Sequence, residues 1–342
     1  MIDPHVHLRD WNQEEKETLL HGLKVAKACG FAHVFDMPNT SPAITSREMI
    51  IRRLADASDA RKKVKGISYH LYGGLTLDKN QIKEMVSAYY ELFPLVAGLK
   101  LFAGHSTGNM GIIGQPKQLE VIKTLSECGY KGVLAVHCEK EELMQPDKFV
   151  PGKWETHTLA RPNEAEAESV KDLIEACIEA RFEGTLHIAH VSTKEAVEIV
   201  KNNKDKIKIT MGATPHHALY SQKDAECHEK YLKMNPPLRS EEDRAYIYKS
   251  LLDGTIDWVE SDHAPHTLED KDKGASGIPG FTGMLVLLGS LRKDGCSEER
   301  LNELFALNAA KAFGIEIEDV ALPKNLISKI NKSRDEYPVK PF

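Results

Sequence analysis

The length, composition and charge of this 342-residue chain exclude several classes of protein. Hydrophobic residues make up 41% of the sequence, enough to fill a sizeable core, so a disordered chain is excluded. The formal net charge is −6, from 45 basic and 51 acidic residues that are well mixed, and no basic stripe follows the pattern of a nucleic-acid backbone. Nucleic acid is therefore not expected as a partner.

The cysteines and the apolar segments indicate a protein of the cytoplasm. The six cysteines stand at irregular spacing without a C-x-x-C pair, which is typical of reduced thiols rather than of a disulfide framework. The chain opens directly into a strand-like run without a secretory leader, and no apolar stretch approaches the length that spans a bilayer. We therefore expect a soluble, cytoplasmic protein with no membrane partner.

Short β-rich runs alternate with segments of helical periodicity along most of the chain. The eight runs lie at about 2–8, 32–38, 66–72, 96–102, 132–138, 185–191, 206–213 and 256–262. No Pro/Gly/Ser-rich linker divides the chain. Eight successive β-then-α units predict an α/β protein with a single-domain (β/α)8 TIM barrel, in which chemistry takes place at the carboxyl ends of the strands.

Two of the intervening helices have sequence signals for their ends. Residues 14–29 carry leucines and alanines near one side, and Gly30 stands where a helix would end. Asn163 precedes Glu164 and Glu166 and is predicted to cap the N-terminus of a helix. Each of these helices would connect one strand to the next.

The first run carries two histidines one residue apart. Alternation along a strand places His5 and His7 on one face and Val6 on the other. Two imidazoles on one face can bind one metal ion, although such pairs also arise by chance in a chain with fifteen histidines. Other polar residues at strand ends decide between these interpretations.

The fourth run places Lys100 in an otherwise apolar strand. A charged ammonium there has a large desolvation cost unless it snorkels or pairs with a carboxylate. A neutral lysine can instead be carboxylated to a carbamate, whose two oxygens can bridge two metal ions. The run at 96–102 contains no Asp or Glu that could bridge two metal ions in place of Lys100.

Three later runs end with further side chains that bind metals. His137 and His190 each lie at the end of a run, and together they would hold a second ion. Asp262 ends the eighth run, where a carboxylate can coordinate a metal and exchange a proton. By alternation His187 faces away from His190, so we expect a structural role for it.

Eight short motifs carry a resemblance to a known family through their order and spacing. They are His-Val-His-Leu-Arg-Asp at 5–10, Met-Pro-Asn-Thr at 37–40, Gly-Leu-Lys-Leu-Phe at 98–102, His-Cys-Glu at 137–139, Ala-His-Val-Ser at 189–192, Met-Asn-Pro-Pro-Leu-Arg at 234–239, Asp-His-Ala-Pro-His at 262–266 and Asn-Ala-Ala-Lys at 308–311. Together they resemble the dihydroorotase family of the amidohydrolase superfamily, from residue 3 to about residue 314.

The resemblance implies a site with two Zn²⁺ ions per subunit and a set of substrate contacts. The implied metal ligands are His5, His7 and Asp262 for the first ion, His137 and His190 for the second, and carboxylated Lys100 together with a hydroxide as bridges. The implied substrate contacts are Arg9, Asn39 and His266 at a carboxylate, Asn235 and the backbone around Pro279 and Gly280 at the ring, and Ser106 and Thr107 in a covering loop.

The activity that the resemblance implies is the reversible cyclisation of N-carbamoyl-L-aspartate to L-dihydroorotate, in de novo pyrimidine biosynthesis. The bridging hydroxide would attack the ring amide in the hydrolytic direction, with Asp262 as general base and then general acid. The family also suggests a homodimer and, as a partner protein, aspartate carbamoyltransferase.

Two alternative functions stay open at this point. A hydantoinase, dihydropyrimidinase or allantoinase type of cyclic amide hydrolase shares the metals but not the carboxylate clamp, so Arg9 and Asn39 count against it. A non-catalytic barrel subunit of an aspartate carbamoyltransferase assembly has no need of ligands at all six metal positions, which are complete here.

The two ends of the chain depart from the pattern of the longer relatives, which build an accessory β-sandwich from both ends. This chain begins next to its first strand and runs into a polar segment after Gly314. We predict a metal-dependent hydrolase barrel at 1–316 without the accessory β-sandwich, followed by a polar C-terminal tail at 317–342. We expect the last twenty or so residues to be loosely packed or used in subunit contacts.

Overall fold

The strands lie side by side in chain order in the computed structural model, which describes residues 1–106, 108–317 and 321–342. Their bounds are β1 Ile2–Val6, β2 His33–Asp36, β3 Ser68–Gly74, β4 Val96–Phe102, β5 Val133–His137, β6 Thr185–Ile188, β7 Ile209–Ala213 and β8 Trp258–Val259. Each strand pairs in parallel with the next, and a parallel bridge between Val6 and His263 joins the last strand end to the first. The predicted (β/α)8 barrel is confirmed.

Helices follow the strands and cover the outside of the sheet. Their bounds are α1 Leu19–Cys29, α2 Arg47–Lys63, α3 Lys79–Leu92, α4 Gln115–Glu127, α5 His157–Ala160, α6 Asn163–Glu179, α7 Lys194–Lys201, α8 Pro215–Leu219, α9 Gln222–His228, α10 Glu241–Asp253, α11 Leu268–Asp272, α12 Phe281–Lys293, α13 Glu298–Asn302, α14 Asn308–Phe313 and α15 Leu326–Asp335. A π-helical turn at Glu303–Leu307 joins α13 to α14. Within the described ranges, no helix combines the length and the apolar character needed to cross a membrane.

The helix-end predictions are confirmed in one case and wrong in the other. Gly30 ends α1 in the left-handed region at φ 103°, as the sequence predicts, while Thr18 caps a start that lies later than residue 14. At α6 the cap position is Pro162, and Asn163 is already helical. The side chain of Asn163 donates to Asp243 instead, so a tertiary contact has replaced the predicted cap.

Strand alternation divides the core into a lumen and an outer layer. Trp258 packs inside the barrel with Phe35 and Tyr72, whereas its neighbour Val259 packs among the residues under the helices. The same alternation turns residues 260 and 262 toward the lumen, beyond the end of β8. The carboxyl ends of the strands therefore bring polar side chains together at one end of the barrel.

The C-terminal segment packs against the barrel. Helix α15 contacts α1 and α12, and the three apolar side chains beyond it, Tyr337, Val339 and Phe342, are buried. The loose packing expected as one alternative for the last twenty or so residues is therefore wrong, because these apolar residues are buried beside a largely polar helix, while the other alternative, a role in subunit contacts, stays a prediction. Among the described residues, all strands belong to the barrel sheet and no second sheet accompanies it.

Candidate metal centre and active site

The first candidate metal position lies between the ends of β1 and β8. The Nε2 atoms of His5 and His7 lie 3.3 and 3.0 Å from Oδ1 of Asp262. Zinc–nitrogen distances of about 2.0–2.1 Å place tetrahedral ligand atoms roughly 3.3 Å apart. These three buried side chains thus have the spacing that one ion requires.

The second candidate position lies beside the first, at the ends of β5 and β6. His137 Nδ1 and His190 Nε2 are 3.2 Å apart, again the spacing of two ligands on one ion. The rings of His5 and His190 have centroids 5.2 Å apart, so the two positions are neighbours. The sequence-predicted ligands therefore come together from four strand ends.

Lys100 lies in the same pocket as the four histidines and Asp262. Its side chain is fully buried, and its Nζ has no hydrogen-bond partner among the described residues. Burial lowers the pKa of Lys100 to about 8, against the opposing effect of Glu260 and Asp262. A buried, partly neutral amine without a hydrogen-bond partner is unusual. It fits a metal centre in which a group added to this amine, rather than an unmodified side chain, joins the two sets of candidate ligands.

Burial keeps three of the histidines in the neutral form that can coordinate a metal. It lowers the pKa of His5 to about 4, lowers that of His137, and lowers that of His190 well below its ordinary value. Burial alone would raise the pKa of Asp262, but His5 and His7 outweigh it, so the pKa falls below its ordinary value. The site thus presents neutral imidazoles and an ionised carboxylate.

In three of the candidate ligand histidines, the ring nitrogen that faces away from the candidate metal position contacts a side-chain oxygen. The contacts are His5 Nδ1 to Glu260 Oε1 at 3.3 Å, His7 Nδ1 to Asn39 Oδ1 at 2.7 Å, and His137 Nε2 to Glu139 Oε2 at 2.9 Å. Such contacts determine which nitrogen faces the ion. The sequence analysis missed both glutamates, although alternation places Glu139 on the side of His137 and Glu260 on the side of Asp262.

His187 faces the lumen, and the prediction that it faces away from His190 is wrong. Its Nε2 lies 3.0 Å from Glu260 Oε2, and its ring stacks on Trp258 with centroids 4.4 Å apart. Regular strand geometry ends at Ile188, and His190 has φ 42°, so alternation no longer applies between the two histidines. His187 therefore lies below the candidate metal ligands, where it has a structural role through its contacts with Glu260 and Trp258.

The predicted carboxylate clamp lies beside the first metal position. Arg9 is buried with φ 42°, its Nε donates to the carbonyl of Pro265 at 3.2 Å, and its Nη2 lies 3.2 Å from His266 Nε2. These contacts fix the orientation of the guanidinium. Asn39 lies against the metal-ligand candidate His7, so the structure assigns it a contact that the sequence analysis did not predict.

The pocket above the ligands is formed by several strand-end loops. Besides the metal-ligand candidates it is lined by Phe102, Ser106, Asn235, Ala264, Ser276 and Gly277. Asn235 and Ser106 thus line this pocket, their predicted contacts with substrate stay predictions, and Thr107 lies outside the described residues. Gly280 donates its N–H to His263 Nδ1 at 3.1 Å, while Ser276 and Gly277, which the sequence analysis missed, form the wall on this side.

Curated relatives that match nearly the whole chain are named dihydroorotase. The one from Methanosarcina acetivorans is 33% identical over 335 residues, which cover 92% of this chain and 68% of the relative. The one from Thermococcus kodakarensis is 33% identical over 343 residues, which cover 100% of this chain and 74% of the relative. A comparison with models of known protein families gave no match.

Solved structures similar to this fold include hydantoinases and a dihydroorotase. The L-hydantoinase from Arthrobacter aurescens has a TM-score of 0.80 and 25% identity, covering 92% of this chain and 70% of that chain. The dihydroorotase from Campylobacter jejuni has a TM-score of 0.72 and 20% identity, covering 93% of this chain and 84% of that chain. At 20% identity the second likeness shows the fold alone.

Proposed function

The chain belongs to the dihydroorotase family of the amidohydrolase superfamily, and from this premise we propose that it interconverts N-carbamoyl-L-aspartate and L-dihydroorotate in pyrimidine biosynthesis. The observation that carries the proposal is the pairing of Arg9 with His266 next to His5, His7 and Asp262. A ring substrate with a carboxylate can bind the clamp while its amide bond reaches the metal centre.

The proposed centre holds two zinc ions on a donor set of imidazoles and carboxylates. His5, His7 and Asp262 would hold the first ion, and His137 and His190 the second, with carboxylated Lys100 joining them. Two ions bound by these residues would supply an activated water at neutral pH and would polarise the amide carbonyl. The ligand spacing and the orphaned amine of Lys100 support this assignment.

Carboxylation of Lys100 would use dissolved carbon dioxide. The lone pair of the neutral amine forms the new N–C bond while one C=O π bond of carbon dioxide opens onto oxygen, and the nitrogen releases its proton to water, which leaves an anionic carbamate. The lowered pKa of Lys100, about 8 because of burial, supports this step, since it increases the neutral fraction near physiological pH. The buried, unpartnered Nζ thereby acquires two oxygens at the place where the ligands converge.

The clamp residues and Asn235 would bind and orient the substrate, and Asp262 would transfer its proton. Arg9 presents a planar fork to the substrate carboxylate, and His266 and Asn39 complete the clamp. Asn235, which lines the pocket and accepts from Ser276 Oγ at 3.2 Å, contacts the ring. Asp262 accepts a proton from the attacking water at its carboxylate and returns it to the departing ring nitrogen, a contribution of about 10²–10⁴-fold in rate.

Hydrolysis of a neutral cyclic amide is the competing function, and the likeness to an L-hydantoinase favours including it. The test measures turnover of dihydroorotate and of hydantoin by the zinc-loaded protein and by Arg9→Ala. We expect dihydroorotate kcat/KM to fall by about 100-fold or more, because a charge-assisted contact of about 3 kcal/mol is lost, and hydantoin turnover to change little.

Arg52→Ala is a matched control for this test. Arg52 is exposed and lies over the ring of Trp11, 4.7 Å from its centroid, and Trp11 is two residues from Arg9 in the sequence. It should leave both activities within about twofold. Turnover of hydantoin alone would instead favour the neutral cyclic-amide function, and absence of all turnover would favour a non-catalytic barrel subunit.

The assembly, the location and the remaining contacts are proposals that rest on the family resemblance. They are a homodimer, association with aspartate carbamoyltransferase, a cytoplasmic location, and substrate contacts from Thr107, Pro279 and Gly280. Light scattering of the 38.2 kDa chain, alone and mixed with a carbamoyltransferase, tests the first two. A mass that stays at 38.2 kDa under both conditions would contradict them.

A further inference from the structure

The buried carboxylate of Glu260 lies directly beneath two of the metal-ligand candidates. Glu260 is fully buried, and four donors surround its two oxygens. The donors are His5 Nδ1 at 3.3 Å and the backbone N–H of His190 at 2.6 Å on Oε1, and His187 Nε2 at 3.0 Å and Trp258 Nε1 at 3.2 Å on Oε2.

The two oxygens of Glu260 have different neighbours and therefore different roles. Oε1 connects His5, a ligand of the first metal position, with the backbone of His190, a ligand of the second. His190 has φ 42°, a conformation that a non-glycine residue rarely adopts, and its hydrogen bond to Oε1 holds that conformation. Oε2 is tied to His187 and Trp258, which keep the carboxylate in place.

The carboxylate of Glu260 fits into the local packing because the neighbouring residue on β7 has no side chain. A side chain at Gly212 would place its Cβ 2.5 Å from Glu260 Oε2, so only glycine fits on the neighbouring strand. In the part of the chain that the structure describes, the ion-pair partners of Glu260 are the histidines His5 and His187. A carboxylate buried in this way is costly, and nearby divalent ions would offset that cost.

We propose that Glu260 is a positioning residue that fixes His5 and His190 relative to each other and so strengthens binding of metal at both positions. The proposal rests on the two-ion centre of the proposed function, but not on the identity of the substrate. It assigns to Glu260 a task that a hydrophobic residue of similar size could not perform, because that task requires accepting hydrogen bonds on both sides at once.

The test is the zinc affinity of Glu260→Gln, measured by competition with a chromophoric chelator. A carboxamide can accept on one side only, so in either orientation its NH₂ group faces two donors. We expect the apparent dissociation constant of zinc to rise about 10–100-fold, the usual effect of losing such a contact. At saturating zinc the KM for dihydroorotate should change much less than this constant.

Glu166→Gln is the matched control, since Glu166 is also buried at the top of the barrel but contacts Ser192 and Arg239 instead of a ligand candidate. Its zinc affinity should match that of the wild type within about twofold. Wild-type zinc affinity in a folded Glu260→Gln protein overturns the proposal. Equal losses in both variants also overturn it, because the effect would then follow from the replacement of any buried glutamate.

A second variant tests the role of Glu260 if the Glu260→Gln protein does not fold. His187→Phe keeps a ring stacked on Trp258 and removes one donor from Oε2, so we expect a several-fold weaker zinc affinity. Unchanged affinity in this folded variant overturns the proposal. A wild-type protein that binds two ions without turning over dihydroorotate contradicts the proposed function and leaves this inference intact.

Discussion

Tyr337 donates its hydroxyl hydrogen to the buried carboxylate of Glu17, 320 residues earlier in the chain, at 2.6 Å. Glu17 also accepts from His263 Nε2 at 3.1 Å and lies 3.1 Å from His21 Nδ1. Because His263 directly follows Asp262, these contacts connect the C-terminal segment to the strand end that carries the proposed general acid and base.

Replacing Tyr337 with Phe should destabilise the protein. The substitution removes one donor from a carboxylate that burial keeps away from water, a loss of about 1–3 kcal/mol in unfolding free energy. Urea denaturation measures it. Tyr90→Phe is the control, since the hydroxyl of Tyr90 donates to Gly129 at an exposed site and its loss should cost less than about 0.5 kcal/mol. Equal denaturation midpoints for the two variants would contradict the role of Tyr337.

Two buried lysines should respond in opposite ways to substitution by Met in the metal-free protein. Lys271 Nζ donates to the carbonyls of Lys233, Ala275 and Gly277 at 2.9–3.0 Å, so Lys271→Met leaves buried acceptors unpaired and should cost at least about 2 kcal/mol. Lys100→Met breaks no hydrogen bond and removes a buried amine, so the unfolding free energy should stay equal or rise.

The lysine pair separates stability from metal binding. Lys100→Met should lose measurable zinc binding while its thermal midpoint without metal stays at the wild-type value or above it. Lys271→Met should show the reverse pattern, with a lower midpoint and retained zinc binding, together with a raised KM because Gly277 lines the pocket. A metal-free Lys100→Met protein as unstable as Lys271→Met would refute this account.

Glu166 should make stability depend on pH below neutrality. Burial raises the pKa of Glu166 from 4.5 to about 7, against the opposing effect of Arg239 and Ser192. Between these two values the folded protein holds a proton that the unfolded chain releases, so the unfolding free energy falls as pH rises through this window.

Glu166→Gln should flatten that part of the pH profile. The measurement is urea denaturation at several pH values from 4.5 to 7. Glu269→Gln, at an exposed position on α11, is the comparison and should retain the wild-type slope. A wild-type slope in Glu166→Gln would show that other groups cause it.

Asn39 should influence metal binding as well as substrate binding. Its Oδ1 accepts from His7 Nδ1 at 2.7 Å, so Asn39→Ala should weaken zinc binding by about 10–100-fold and also raise the KM for dihydroorotate. Asn235 also lines the pocket but is hydrogen-bonded to His157 and Ser276, so Asn235→Ala should raise KM without a change in zinc affinity. Identical behaviour of the two variants would contradict the distinction between them.

The order of apolar runs predicted the barrel, which the structure confirms, and the strand-end polar residues together with the family resemblance predicted the candidate ligand set without any tertiary information. Each strand is buried on both sides, which makes its run nearly continuous in the sequence, and a barrel brings all carboxyl ends to one face. Alternation also predicts the inward side chains within a strand. Applied to residues 260 and 139, it would have found Glu260 and Glu139 as well.

Only the tertiary structure decided the features that depend on irregular backbone geometry or on contacts between residues far apart in the sequence. His187 faces inward with His190 because the strand ends between them and His190 adopts a positive φ. Asn163 contacts Asp243 instead of capping its helix, and the C-terminal segment is held by Glu17. Local periodicity cannot identify these partners, because the free energy of their contacts is gained only when residues far apart in the sequence are buried together.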